Sequence, residues 1–128
     1  MNNTSEQKII LFIEDNPLLL KAYKEAFEKE NIEVCLACDG ESGLNMVKEK
    51  KPKVVVLDLF LHGANGLEIL KSIKNDPSTK EIRVIIFTAS EEKSDLEEAM
   101  KLGADKFLVK SECPLSEVVK IVLEYVRM

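Results

Sequence analysis

Five side chains in this sequence could do chemistry together. They are Glu14 and Asp15 in "KIILFIED", Asp58 in "KVVVLDLFLHGANG", Thr88 in "RVIIFTA" and Lys110 in "KFLVK". Three carboxylates brought together repel one another and resist joint ionisation. A divalent cation removes that conflict, and hard oxygen ligands favour Mg²⁺, which accepts one or two carboxylates plus phosphate and keeps several waters. Lys110 adds a second positive charge and Thr88 a hydroxyl donor. A cation, an ammonium and a hydroxyl around one carboxylate stabilise a phosphoryl group in transfer. The carboxylate can itself be the nucleophile, giving an acyl phosphate. Asp58 is the natural acceptor, with partners on both sides. Singly, each residue has a plainer role: Asp15 a helix cap, Glu14 a solvated acid, Asp58 an acceptor for loop amides, Thr88 a strand-end hydroxyl, Lys110 a surface charge. Only a shared position argues for more.

The elements supply that shared position. "KIILFIED", "IEVCLA", "KVVVLDL", "RVIIFTA" and "KFLVK" read as short buried strands, continuous apolar runs without alternation, the first ending in two acids. Between and after them lie helical stretches. "NPLLLKAYKEAFEKEN" has Pro17 at the first helical position with Asn16 or Asp15 as cap, and Leu19, Tyr23, Ala26 and Phe27 at helical spacing. "GESGLNMVKEKK" stops before Pro52, and "GLEILKSIKN" carries Leu67, Leu70 and Ile73 on one side. "EEKSDLEEAMKLGA" has acids near its start and a narrow stripe of Leu96, Ala99 and Met100. "LSEVVKIVLEYVR" turns Leu115, Val118, Val119, Val122 and Val126 inward. Five alternations of strand and helix predict a parallel sheet covered on both faces. In such a sheet ligands bind outside the carboxyl ends of the strands. Four of the five strands deliver their polar residue to that edge.

The totals fit this reading. A chain of 128 residues makes one domain with a real core. With 45% hydrophobic and 32% charged residues, it has the composition of a soluble globular protein. A net charge of -5 argues against a nucleic-acid surface, which needs a basic patch. No apolar run approaches a membrane span or a signal region, so the expectation is a cytoplasmic protein whose positions 1 to 7 form a loose tail. Cys35 and Cys38 form a C-x-x-C, but strand residues three apart point to opposite faces. With no second such pair, and the lone His62 far along the chain, buried inert thiols are expected.

"ILFIEDNP", "VVVLDLFLHGANGLEIL", "IIFTAS" and "GADKFLVK" together resemble the receiver domain of bacterial two-component response regulators, from about Lys8 to the C-terminus. The resemblance implies a flavodoxin-like doubly wound α/β fold: five parallel strands in the order 2-1-3-4-5 with five helices, over residues 8 to 128. It implies Asp15 as a direct Mg²⁺ ligand, Glu14 acting mainly through water, and the backbone carbonyl of Phe60 completing the metal site. It implies Asp58 as phosphoacceptor, Lys110 as the phosphoryl contact, Thr88 as the switch hydroxyl, Ala89 as the small residue leaving it room, and Phe107 as the switch aromatic. Phe107 can equally be a core residue of the fifth strand.

The implied function is a phosphorylation-dependent switch of a phosphorelay, loaded by a sensor histidine kinase or a histidine phosphotransfer protein. It supports its own Asp phosphorylation and dephosphorylation without being an enzyme for another substrate. The chain stops after the fifth helix, so output is expected through protein contact at the face of the fourth helix, fifth strand and fifth helix, with no direct nucleic-acid or membrane contact. The competing readings are a receiver fragment of a longer regulator and an interaction module that is never phosphorylated. Two positions depart from the family: His62 and Ser111 stand where it usually has proline. The family's bond before the second proline is typically cis, which before a serine costs roughly 3 to 4 kcal/mol. His62 is expected to be a solvated loop histidine. Other phosphate chemistries fit poorly, since "EDNPLL" is the wrong charge for a flavin-phosphate loop and no G-x-x-x-x-G-K-[ST] occurs.

Overall fold

A computed structural model describes residues 8–128; the expected tail over positions 1 to 7 lies outside the described residues. In chain order the elements are β1 (Lys8–Ile13), α1 (Pro17–Ala26), β2 (Ile32–Ala37), α2 (Gly40–Lys50), β3 (Val54–Leu57), β4 (Phe60–Leu61), β5 (Ala64–Asn65), α3 (Gly66–Asn75), β6 (Arg83–Thr88), α4 (Lys93–Lys101), β7 (Lys106–Val109) and α5 (Leu115–Val126). Five strands form one parallel sheet in the order β2-β1-β3-β6-β7. With the short antiparallel β4–β5 hairpin set aside, this is the 2-1-3-4-5 order of a flavodoxin-like sheet.

The continuous apolar runs are needed because both faces are covered. Alternate side chains of a strand point to opposite faces. Leu11, Ile13, Val55, Leu57, Val84 and Ile86 pack with Val47, Ile69, Leu70, Ile73 and Ala99, from α2, α3 and α4. Their neighbours Ile10, Phe12, Val54, Val56, Ile85 and Phe87 pack with Leu20, Tyr23, Phe27, Val118, Val122 and Val126, from or just after α1 and α5. The central strand β3 is buried along its whole length. Its rigidity comes from neighbours on both edges and both faces.

Side-chain caps start α1, α2 and α3 on the site side of the sheet. Asn16 caps α1 by accepting from the amides of Leu18 and Leu19, with Pro17 at the first position. Asp39 caps α2 and Asn65 caps α3 in the same way. The chain leaves α2 through Lys51, at φ +47°, before reaching Pro52.

Some expectations are corrected. The strands end earlier than their apolar runs suggested, so Glu14 and Asp58 each stand one residue beyond a strand. Of the α4 stripe only Ala99 is buried, and Leu96 and Met100 are exposed. In α5, Val118, Val122 and Val126 are buried, whereas Leu115 and Val119 are only half-covered. The C-x-x-C thiols are not buried: Cys35 is half-exposed on edge strand β2, and Cys38 lies exposed just past its end, both free. An edge strand has sheet on only one side, which explains the exposure. Among the described residues no helix is long and apolar enough to cross a membrane.

Candidate functional site

Backbone hydrogen bonds carry the acids to the sheet edge. The Glu14 amide donates to the Ala37 carbonyl at 3.0 Å, and the Asp58 amide donates to the Ile13 carbonyl at 3.1 Å. The parallel ladder therefore continues one residue past the formal ends of β1 and β3. Both carboxylates are nearly buried, at 3% and 5% exposure. Asp15 follows, partly exposed. Glu14, Asp15 and Asp58 each place a carboxylate oxygen within 4.8 Å of the others.

Lys110 reaches into this cluster from the turn after β7. Its Nζ donates to Glu14 Oε1 at 2.8 Å and to Asp58 Oδ2 at 2.9 Å. It also stands 5.9 Å from the centroid of the Phe87 ring. The second Asp58 oxygen, Oδ1, accepts from the Phe60 amide, and Glu14 Oε2 accepts from the Asn16 amide, both at 3.1 Å. Residues 110–112 form a short 3₁₀ turn, and no cis peptide bond occurs among the described residues, so the Lys110–Ser111 bond is trans.

The electrostatics show an unresolved surplus of negative charge. Burial raises the Glu14 pKa above its ordinary value, and the nearby Asp58 charge adds to the rise, against the pull of Lys110. For Lys110, burial works against the charged form, but hydrogen bonds to Glu14 and Asp58 outweigh it and the pKa is raised. Burial likewise raises the Tyr23 phenol, with Glu14 and Asp58 adding to the effect. One ammonium thus serves two buried carboxylates, with a third beside them. Three clustered oxygens with excess negative charge suit a hard divalent cation.

The other expected residues are placed as follows. Thr88 is the last residue of β6, fully buried, and its Oγ1 accepts from the Ser90 amide at 3.3 Å. Ala89 is exposed just beyond it. Phe107 is half-buried in β7 against the core face of α2, α3 and α4. Phe60 begins β4 and is 56% exposed, beside a cleft of about 510 Å³ lined also by Asp15, His62, Asn65 and Asp95.

Three features escaped the sequence reading. Ser90 is buried, and its hydroxyl donates to Asp95 in the first turn of α4 while accepting from the Glu92 amide. Gly66 presses α3 against the loop carrying Asp58, since a Cβ there would meet Asp58 O and Leu59 Cα at 2.5 Å. His62 does have an exposed ring, as expected, but its Nδ1 lies 2.8 Å from Asp15 Oδ2. The glycine of "HG" directly after the apolar pair "FL" is the one local signal for the turn that makes this possible.

The sequence profile of the response regulator receiver domain matches residues 10–122. The chain belongs to that family. It is 31% identical over 79% of its length to the transcriptional regulatory protein AfsQ1 of Streptomyces coelicolor, covering 44% of that protein. It is 29% identical to the polar-differentiation response regulator DivK of Brucella anthropi, covering 80% of this receiver and 84% of DivK. Among solved structures, the Mn²⁺-bound form of response regulator Rcp1 superposes with a TM-score of 0.79 at 26% identity, over 91% of this receiver and 90% of that chain. The receiver thus spans less than half of AfsQ1 but most of DivK.

Proposed function

We propose that this receiver is a phosphorylation-dependent switch with Asp58 as the phosphoacceptor. The observation that carries the reading is the Lys110 ammonium bridging Glu14 and Asp58 beside Asp15, at the carboxyl edge of the sheet. A phosphohistidine on a sensor histidine kinase or a histidine phosphotransfer protein is the donor. An Asp58 carboxylate oxygen attacks phosphorus, the P–N bond breaks, and its electron pair returns to the donor imidazole, which takes up a proton. Asp58 is held for this attack by the Phe60 amide on one oxygen and Lys110 on the other. Lys110 then moves its contact from the carboxylate to the incoming phosphoryl oxygens, which carry more charge.

The three acids fit Mg²⁺, and Rcp1 with its bound Mn²⁺ supports a divalent cation in this fold. Asp15 and Asp58 would bind it directly, Glu14 through water, and the Phe60 carbonyl would complete the set. The cation supplies charge neutralisation for the phosphoryl oxygens. Thr88 is the switch hydroxyl: in turning to the phosphoryl group it gives up the Ser90 amide. Ala89 leaves room for it, and Phe107 moves inward behind it. The readout is protein contact at the face of α4, β7 and α5 in a cytoplasmic setting, not nucleic-acid contact. Phosphorylation and its reversal are self-supported rather than enzymatic turnover of another substrate.

The test is an intact mass after incubation with Mg²⁺ and a small-molecule phosphodonor. One phosphoryl adduct is expected, absent from Asp58→Asn and absent without Mg²⁺. No adduct, together with no binding of a stable phosphoryl mimic, would leave an interaction module of receiver fold.

A further inference from the structure

His62 sits in the two-residue turn between β4 and β5, where Gly63 takes φ +70° and the chain reverses. The turn brings both nitrogen donors of one residue to one oxygen. The His62 amide is 3.0 Å from Asp15 Oδ2, and the ring Nδ1 is 2.8 Å from the same atom. A carboxylate oxygen only accepts, so Nδ1 carries the hydrogen. The side chain is 95% exposed. Apolar burial therefore does not explain where the ring lies.

We propose that His62 is a positioning residue for the cation centre, holding the Asp15 carboxylate in its binding orientation. The proposal rests on the reading of Glu14, Asp15 and Asp58 as a divalent-cation site. Asp15 is the least anchored of the three acids: it is two residues past β1 and more exposed than Glu14 or Asp58. A free carboxylate there loses rotamer freedom on binding a cation. Two donors on Oδ2 restrict that rotation beforehand. They leave Oδ1 and its lone pairs as ligands, because an ionised carboxylate offers about four acceptor sites. Hydrogen-bond partners of metal ligands typically change metal affinity about 10- to 100-fold when removed. Here the amide donor survives any side-chain change, so the effect falls at the lower end of that range. An exposed contact of this kind adds little to folding itself, which separates positioning from a structural role.

The experiment is calorimetric titration of the metal-free protein with Mg²⁺, and separately with Mn²⁺. Wild type and Asp15→Asn are titrated first. A wild type that takes up no cation, or an Asp15→Asn variant that binds as well as wild type, overturns the cation site and this inference with it. With the site established, His62→Ala is expected to bind about 10-fold more weakly, at an unchanged melting temperature of the metal-free protein. His62→Asn keeps a side-chain N–H donor and is expected to restore affinity close to wild type. Equal binding by His62→Ala overturns the positioning role alone. Tighter binding by His62→Ala also overturns it, showing that the two donors compete with the cation for Asp15.

Discussion

The Lys110 ammonium donates to two carboxylates, and burial raises the Glu14 pKa in spite of it. The folded protein therefore binds a proton at Glu14 more readily than the unfolded chain does. Stability from this group is full below the ordinary Glu pKa and is lost as pH rises through the raised value. Without divalent cation, wild-type stability is thus expected to fall across this acidic window, relative to Glu14→Gln, which has no proton to lose there. Urea midpoints across the window check the sign; parallel curves would refute it. Lys110→Met leaves Glu14 and Asp58 facing each other with no cation. It is expected to cost on the order of 2 kcal/mol at neutral pH, less than for a fully buried pair because Lys110 reaches solvent. The loss should shrink in acid, where protonation relieves the repulsion, and denaturant unfolding at two pH values measures it.

At the scale of elements, α3 fixes the acceptor loop. The Gly66 amide donates to Leu59 O at 3.0 Å, and the helix start lies against Asp58 O so closely that no side chain fits. Gly66→Ala must push backbone against backbone. A loss of about 3 kcal/mol is expected, as for overpacking in a dense site, with weaker phosphorylation in whatever folds. A melting temperature near wild type would contradict the contact. This constraint was hidden in the sequence, where Gly66 reads only as the first residue of the helix "GLEILKSIKN". The strands were legible because burial on both faces forces unbroken apolar runs, and the carboxyl-edge placement of Glu14, Asp15, Asp58, Thr88 and Lys110 followed from strand direction alone. The β4–β5 hairpin was not legible, because two-residue strands carry no period. The His62–Asp15 contact spans 47 residues and depends on that hairpin. The two thiols were misread because nothing local in "IEVCLA" marks β2 as an edge strand, which leaves Cys35 half-exposed and Cys38 exposed just past its end.

At the scale of the whole receiver, the sheet joins one charged edge to two separate cores. Residues of β1, β3 and β6 alternate between the cores, so both helical layers rest on the same three strands. Cation binding should accordingly stabilise the fold as a unit. The three acids crowd only in the folded state, since the unfolded chain separates Asp58 from Glu14 by 44 residues. A ligand that binds the folded state alone stabilises by about 2.7 kcal/mol at 100 times its dissociation constant. For a domain of this size each kcal/mol moves the melting temperature by roughly 3 to 5 °C. Saturating Mg²⁺ is therefore expected to raise the wild-type melting temperature by roughly 10 °C. Asp15→Asn should show little of that rise, while melting at or above the wild-type temperature without cation because one repelling charge is gone. Equal rises in the two proteins would place the cation elsewhere on this acidic chain. A rise confined to wild type would tie the stability of both cores to the three carboxylates at the sheet edge.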